Sequence, residues 1–278
     1  MTPAERAQLA LLLEVASTPK PGNVDRNRDL DDLRFEHFLA GAVGSGEGLR
    51  MAANDASVGE AFECAVEGMS RQGGGNTQFG CLLLLVPLVK AAVEFDGALT
   101  PEDATRVVES TTVADAADFY RSFEHVDVAV ADPPEDAPEL DVRRGSEAIP
   151  ALESQGLTLY DVMEMGADRD GNAREWVGGF RRTFAAADAI CDDDGPVPDR
   201  AARAFLDLLA EESDTLVTTQ HGEEVAVAVS KWAADARGDE AAAERLAEAL
   251  VAESVNPGTT ADITAAALFV ALERGVRV

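Results

Sequence analysis

The sequence predicts an all-α protein: a single multi-helix domain over residues 1–278, of roughly ten helices wrapped around one central apolar helix at Thr77–Val93. Three observations carry this reading. Helix-start signatures recur, each a Ser or Thr followed three positions later by an acid, as in Thr2-Pro3-Ala4-Glu5, Ser57-Val58-Gly59-Glu60, Thr100-Pro101-Glu102-Asp103 and Thr158-Leu159-Tyr160-Asp161. Behind them, apolar residues recur at three- and four-residue spacing. Convincing strands are absent, and Val126–Val130 is only a weak strand candidate.

The elements follow in order. Thr2-Pro3 with Glu5 opens a helix that runs apolar through Leu9, Leu12, Leu13 and Ala16; Thr18-Pro19-Lys20-Pro21-Gly22 stops it. A charged loop covers 23–34. Phe35, Phe38, Leu39, Ala42 and Val43 set a second helix to about Asn54, and Ser57 starts a third that ends at Gly73-Gly74-Gly75. Thr77 is placed to cap the next helix, whose Cys81–Val89 run is apolar on every side. A helix of that kind sits inside other elements. Its N-terminus turns unpaired N–H groups and a positive dipole end toward whatever lies above the glycines, a ready anion site. The same glycines would serve equally as a corner between packed helices. Further helices are expected from Thr100, over Val113–Phe123, over Glu147–Ser154, behind Thr158, over about Ala173–Asp192, and at 199–212, 222–237, 239–253 and Ile263–Glu273. Residues 126–145 lose the period and carry Pro133, Pro134 and Pro138 among acids, which predicts an irregular surface connector. No repeat of 20–50 residues is found.

Fifty-two acids against 23 bases give a formal net charge of −29, and only Lys20, Lys90 and Lys231 are lysine. The acids are spread over every polar face, as expected of a protein solvated in a salt-rich, halophilic cytoplasm. Such a surface excludes nucleic acid as a partner, which needs a basic footprint. The longest apolar run is too short to span a bilayer, so no membrane association is expected. No N-terminal stretch has signal-peptide architecture, which fits a cytoplasmic location. Cys64, Cys81 and Cys191 read as reduced core thiols.

No catalytic triad, Gly-x-x-x-x-Gly-Lys-Ser/Thr loop or Cys/His metal spacing is readable. Four polar, glycine-bearing junctions remain: 19–28, 73–78, 214–222 and 256–262. Converging at one end of a bundle, they would form one site. Lys20, Arg26 and Arg28 could neutralise phosphates; Asn76, Thr77, Thr259 and Thr260 could exchange hydrogen bonds; Asp25, Asp214 and Asp262 could hold a divalent cation or accept a proton. Each also has a structural reading. Lys20 suits a helix C-terminus, Thr259 and Asp262 have capping-box spacing, Asp214 is one acid among many, and His221 precedes a helix.

Glu14-x-x-x-x-Pro19-Lys20-Pro21-Gly22-Asn23-Val24-Asp25-Arg26 resembles the N-terminal signature of the triphosphoribosyl-dephospho-CoA synthases, which make the prosthetic-group precursor of citrate lyase and malonate decarboxylase. Gly75-Asn76-Thr77-x-x-Gly80 is similar to their central Asn-Thr-His motif, and Asn256-Pro257-Gly258-x-x-Ala261-Asp262 to their C-terminal Ser-Pro-Gly-Gly-x-Ala-Asp. Asp214-Thr215 with His221-Gly222 resembles an intermediate block. The motifs keep their order and span residue 14 to about 272. The resemblance implies an all-α enzyme that moves the 5-triphosphoribosyl group of ATP to the 2′-hydroxyl of 3′-dephospho-CoA and releases adenine. It implies catalytic roles for Asp25, Asp262 and His221, and substrate contacts from Lys20, Gly22, Asn23, Arg26, Gly75, Asn76, Thr77, Gln78, Asn256, Gly258 and Thr259. A Mg²⁺ ion held by Asp25, Asp214 and Asp262 would accompany the triphosphate. The chain departs from the family at Asn27-Arg28-Asp29-Leu30-Asp31, at Gln78 where a histidine is expected, and at Phe79 where a lysine is. Two other readings compete: the same ribosyl transfer to a different acceptor, and a nucleotide-binding helical protein without turnover.

Overall fold

The computed structural model describes residues 1–95, 97–133 and 137–278. The protein is all-α. Its helices are α1 (Pro3–Ala16), α2 (Phe35–Gly44), α3 (Gly46–Ala52), α4 (Val58–Ser70), α5 (Phe79–Glu94), α6 (Pro101–Glu109), α7 (Val113–Ser122), α8 (Ile149–Gln155), α9 (Leu159–Gly166), α10 (Gly171–Val177), α11 (Arg181–Asp192), α12 (Val197–Glu211), α13 (Thr215–His221), α14 (Glu223–Ala236), α15 (Glu240–Ala252) and α16 (Gly258–Glu273). Two 3₁₀ turns, Pro138–Leu140 and Val142–Ala148, precede α8. Among the described residues there is no strand, and no helix is long and apolar enough to cross a membrane.

The helix-start signatures do what their spacing predicts. Thr2, Thr100 and Thr158 each accept from the backbone N–H three residues on, while the acid at that position reaches back to the cap. Helices outnumber the expected ten because local breaks divide the longer ones. Ser45 separates α2 from α3, and Gly178-Gly179 with left-handed Phe180 separates α10 from α11. Thr77 is not the cap of α5. The helix begins two residues later, and Asn76 Oδ1 accepts the Phe79 N–H at 3.1 Å in its place.

The centre is shared by two helices. Leu82 and Leu84–Val86 of α5 have no exposure, nor do Ile263 and Thr264–Ala271 of α16. α5 and α16 pack on each other; α5 also meets α1, α3, α4, α6 and α10, and α16 meets α1, α10, α11, α12 and α13. Each fully buried Leu or Phe here contributes about 1.5–3 kcal/mol relative to exposure. A second apolar cluster, including Phe205, Leu209, Val217, Val229 and Leu250, joins α12–α15 to this body.

Candidate active site

The first turns of α5, α10, α13 and α16 meet at one place, and short polar side chains hold them there. Asp214 caps α13 by accepting from Leu216 N (2.9 Å) and Val217 N (3.1 Å) with one oxygen; with the other it accepts from Thr260 N and Oγ1, both at 2.7 Å. Thr215 Oγ1 accepts from Gly171 N at 3.0 Å and lies 3.0 Å from Thr259 Oγ1. Asp262, one turn into α16, accepts from Asn172 Nδ2 at 2.8 Å and from the Cys81 thiol at 3.1 Å. Gly80 makes this closeness possible, because a Cβ there would collide with the Asp262 carboxylate.

Above these turns opens a cavity of about 550 Å³. Its polar end is lined by Glu14, Asn23, Gly75, Asn76, Thr77, Cys81, Asn172, Thr215, Asn256, Gly258, Thr259 and Asp262. The N-terminal, central and C-terminal motifs therefore converge, with Asn76 and Asp262 lining one cavity although 186 positions apart. The cavity is also lined by Phe119, Tyr120 and Phe123 of α7, by Val162 and Met163 of α9, and by Val128, Val130, Leu140 and Val142, which alternate along the chain with Asp127, Asp132 and Asp141.

Nine of the predicted residues, Lys20, Gly22, Asp25, Arg26, Arg28, Gln78, Asp214, His221 and Thr260, do not line this cavity. Lys20 is 0% exposed; its Nζ bonds to Glu14 and, at 3.1 Å, to Asn23 Oδ1, so it braces two wall residues from behind. Gly22 has φ +74, and a Cβ on it would strike Val255 O, so it is the crossing point of the first and last motifs. Asn23 Nδ2 completes that crossing by donating to Asn256 Oδ1 at 2.8 Å. Asp25 spends its carboxylate closing its own loop, accepting from Lys20 N (3.3 Å), Asn27 N (2.8 Å) and Arg28 Nη1 (2.7 Å). Arg26 points to solvent, and Arg28 is held by Asp25 and Glu244. Gln78 is 1% exposed beside Gly41 of α2, and its amide has no partner among the described residues. Asp214 is consumed by its four donors. His221 ends α13 on the surface, 3.2 Å from Ser254 O. Asp25, Asp214 and Asp262 thus form no metal cage, and no group of three His, Cys, Asp or Glu among the described residues does.

Other wall residues escaped the sequence reading. Asn172 sits in Asp170-Gly171-Asn172, a fifth glycine-bearing polar junction of the same type as the four identified. The stretch 126–145, expected as a surface excursion, supplies Asp127–Pro133 and Leu140–Val142 to the wall; Pro134 lies outside the described residues. Arg169 carried no signal at all.

Burial raises the Asp262 pKa to about 7, against the hydrogen bonds from Asn172 and Cys81; the charges of Asp214 and Glu14 add to the rise. Burial also pushes Glu14 up, despite Lys20. It pushes Cys81 well up, with help from Asp262, so Cys81 remains a thiol and a donor. Seven carboxylates line the cavity (Glu14, Asp32, Asp127, Asp132, Asp141, Asp170, Asp262), and among the described residues Arg169 is the one cation.

Comparison with known proteins places this geometry in context. A family model described as CitG, ATP:dephospho-CoA triphosphoribosyl transferase, matches residues 1–277. A crystal structure from Archaeoglobus fulgidus, described as that of a candidate triphosphoribosyl-dephospho-CoA synthase, is 28% identical with a TM-score of 0.72; the match covers 86% of this chain and 100% of that one. No curated protein sequence matches the chain.

Proposed function

We propose, for a chain that belongs to the CitG family of ATP:dephospho-CoA triphosphoribosyl transferases, a site in which Asp262 is the base and the first turns of α5 and α16 hold the triphosphate. The reaction is transfer of the 5-triphosphoribosyl group of ATP to the 2′-hydroxyl of 3′-dephospho-CoA, with release of adenine. The observation that carries the site is the convergence of Asn76, Thr259 and Asp262 in one cavity.

The acceptor 2′-oxygen attacks C1′ of the ATP ribose while the C1′–N9 bond breaks, and its electron pair leaves with adenine. Positive charge grows on the ribose in between, so a carboxylate beside C1′ stabilises the transition state. Asp262 is half ionised near pH 7, the condition in which a base both accepts a proton and exists in its basic form. Asn172 and Cys81 fix its orientation through one hydrogen bond to each oxygen. Asn76 and Thr259 offer hydrogen bonds to phosphate oxygens beside the N–H groups of two long helices, while the Thr77 hydroxyl is buried against Gly41 of α2.

The residues fit a magnesium ion that arrives with ATP. Magnesium takes one or two carboxylates and fills its remaining positions with phosphate oxygens and water. Asp25 and Asp214 do not suit that role, since protein donors occupy them; Asp262, kept as the base, would meet the ion through one of its waters, and Glu14 lines the same cavity. When bound, the ion would neutralise phosphate charge that one arginine among seven carboxylates cannot.

The test is adenine release from ATP, followed chromatographically in molar potassium chloride with magnesium, with and without dephospho-CoA. Asp262→Asn should lower kcat at least a hundredfold while the protein stays folded. Adenine release that ignores dephospho-CoA, or survives in Asp262→Asn, would refute this assignment.

A further inference from the structure

One stretch of the cavity lining is unusual. Besides residues of α7 and α9, the cavity is lined by 127–133, which has no secondary structure. From Val126 onward burial alternates: Val126 is buried, Val128 and Val130 are half-buried, and Asp127 and Ala129 are exposed. That period of two is strand behaviour, carried by β-branched residues on the inner side. Yet nothing pairs with it. Among the described residues, no backbone N–H or C=O from Asp127 through Ala131 has a protein partner, while every one of these residues lines the cavity. The stretch is anchored at its far end, where Arg169 Nη1 donates to Asp132 O at 2.8 Å and Arg143 Nη2 to Asp132 Oδ1 at 3.2 Å.

Unpaired backbone groups along a cavity-lining extended stretch can serve a second extended chain that carries amides. Dephospho-CoA carries such a chain: its pantetheine arm has two secondary amides joined by methylenes and ends in a diphosphate. We propose that this arm lies along Asp127–Ala131, its amides exchanging hydrogen bonds with the free backbone groups. Its hydrocarbon rests on Val128, Val162 and Met163, and its diphosphate meets the Arg169 guanidinium. The inference rests on dephospho-CoA being the acceptor. It assigns acceptor selection to a segment separate from the phosphate-binding turns, and it places the acceptor ribose toward the polar end, where Asp262 stands.

ADP is the discriminating probe, because it keeps the ribose hydroxyls and the diphosphate and lacks pantetheine. In the full chain with magnesium, dephospho-CoA should slow hydrogen–deuterium exchange of the amides in 127–131, and ADP should not. Ala129→Pro removes one backbone N–H from this stretch. It should cut the preference for dephospho-CoA over ADP, measured as a ratio of kcat/KM values for adenine release, by roughly two- to tenfold for the hydrogen bond lost. Equal protection by both ligands, with dephospho-CoA still supporting adenine release, overturns the subsite and leaves the reaction standing. Protection that needs no acceptor and grows with protein concentration assigns the edge to a second copy of the chain, and equally overturns it. Failure of dephospho-CoA to support adenine release overturns the acceptor reading itself and this subsite with it.

Discussion

With Asp262 as the base, a carboxylate pushed up to about 7 by burial sets how activity should depend on pH. Accordingly, kcat/KM should fall on the acid side with an apparent pKa of about 7, well above the ordinary aspartate value of 3.8. Asn172 and Cys81 donate to the charged form and therefore hold that pKa down. Removing either donor, as in Asn172→Ala or Cys81→Ala, should move the acid limb to higher pH; a downward shift would exclude their acting through Asp262. Lys20 makes the opposite kind of prediction. It was expected at the phosphates, and the structure puts it behind the wall, paired with Glu14 in a fully buried position. Lys20→Met leaves Glu14 buried and uncompensated, a loss of about 3–5 kcal/mol. For a chain of this size that lowers the melting temperature by roughly 10 °C. Glu14→Leu combined with Lys20→Met should recover most of it, because a buried ion pair replaced by apolar groups is often close to neutral. A Lys20→Met protein with unchanged melting and a raised KM for ATP would return the lysine to the phosphates.

Helices decide where these side chains meet, and the tightest constraint is between α5 and α16. Gly80 lets the Asp262 carboxylate rest against the first turn of α5. Gly80→Ala should displace that carboxylate, lowering kcat while the KM for ATP changes little; melting with unchanged kinetics would show that the turns can separate freely. This contact also marks how far sequence reading reaches. Helix starts were legible because a capping box is local, as at Thr100 and Asp103. The helix expected at Thr77–Val93 was legible from its apolar run, although it begins at Phe79, whose N–H donates to Asn76 and not to Thr77. That α16 shares the centre went unread, although its Ile263–Leu272 stretch is almost wholly apolar as well. What stayed hidden was tertiary. Nothing local distinguishes Asp262, open to the cavity, from Asp214 and Asp25, whose oxygens are filled by donors as far as 46 residues away. Nor could the 126–145 segment be placed on the cavity wall, because an irregular stretch has no period to say which side it covers.

Across the whole molecule, a net charge of −29 acts against compaction unless counter-ions screen it. At about 0.01 M salt the Debye length is roughly 30 Å, so acids on opposite faces repel one another; at molar salt it is about 3 Å and only neighbours do. Buried carboxylates work in the same direction through pH. Glu14, Asp170, Asp214 and Asp262 all have pKa values raised chiefly by burial, so each favours the folded state below its unfolded value, 4.5 for Glu14 and 3.8 for the three Asp residues. That contribution is lost as pH rises through the folded value, which for Asp262 is about 7. Asp141 and Asp193 run the other way: side-chain hydrogen bonds from Arg143 and Arg203 hold their pKa values down, so their contribution is lost only below the ordinary carboxylate range. Stability at low salt should therefore be greater near about pH 5 than at pH 8. Dialysis from molar potassium chloride to about 0.01 M should lower the melting temperature and the far-ultraviolet helical signal at pH 8, and lower them less at pH 5.5, where fewer buried carboxylates are charged. Melting at pH 8 that ignores salt would leave the fold intact and remove the case for adaptation to a salt-rich cytoplasm.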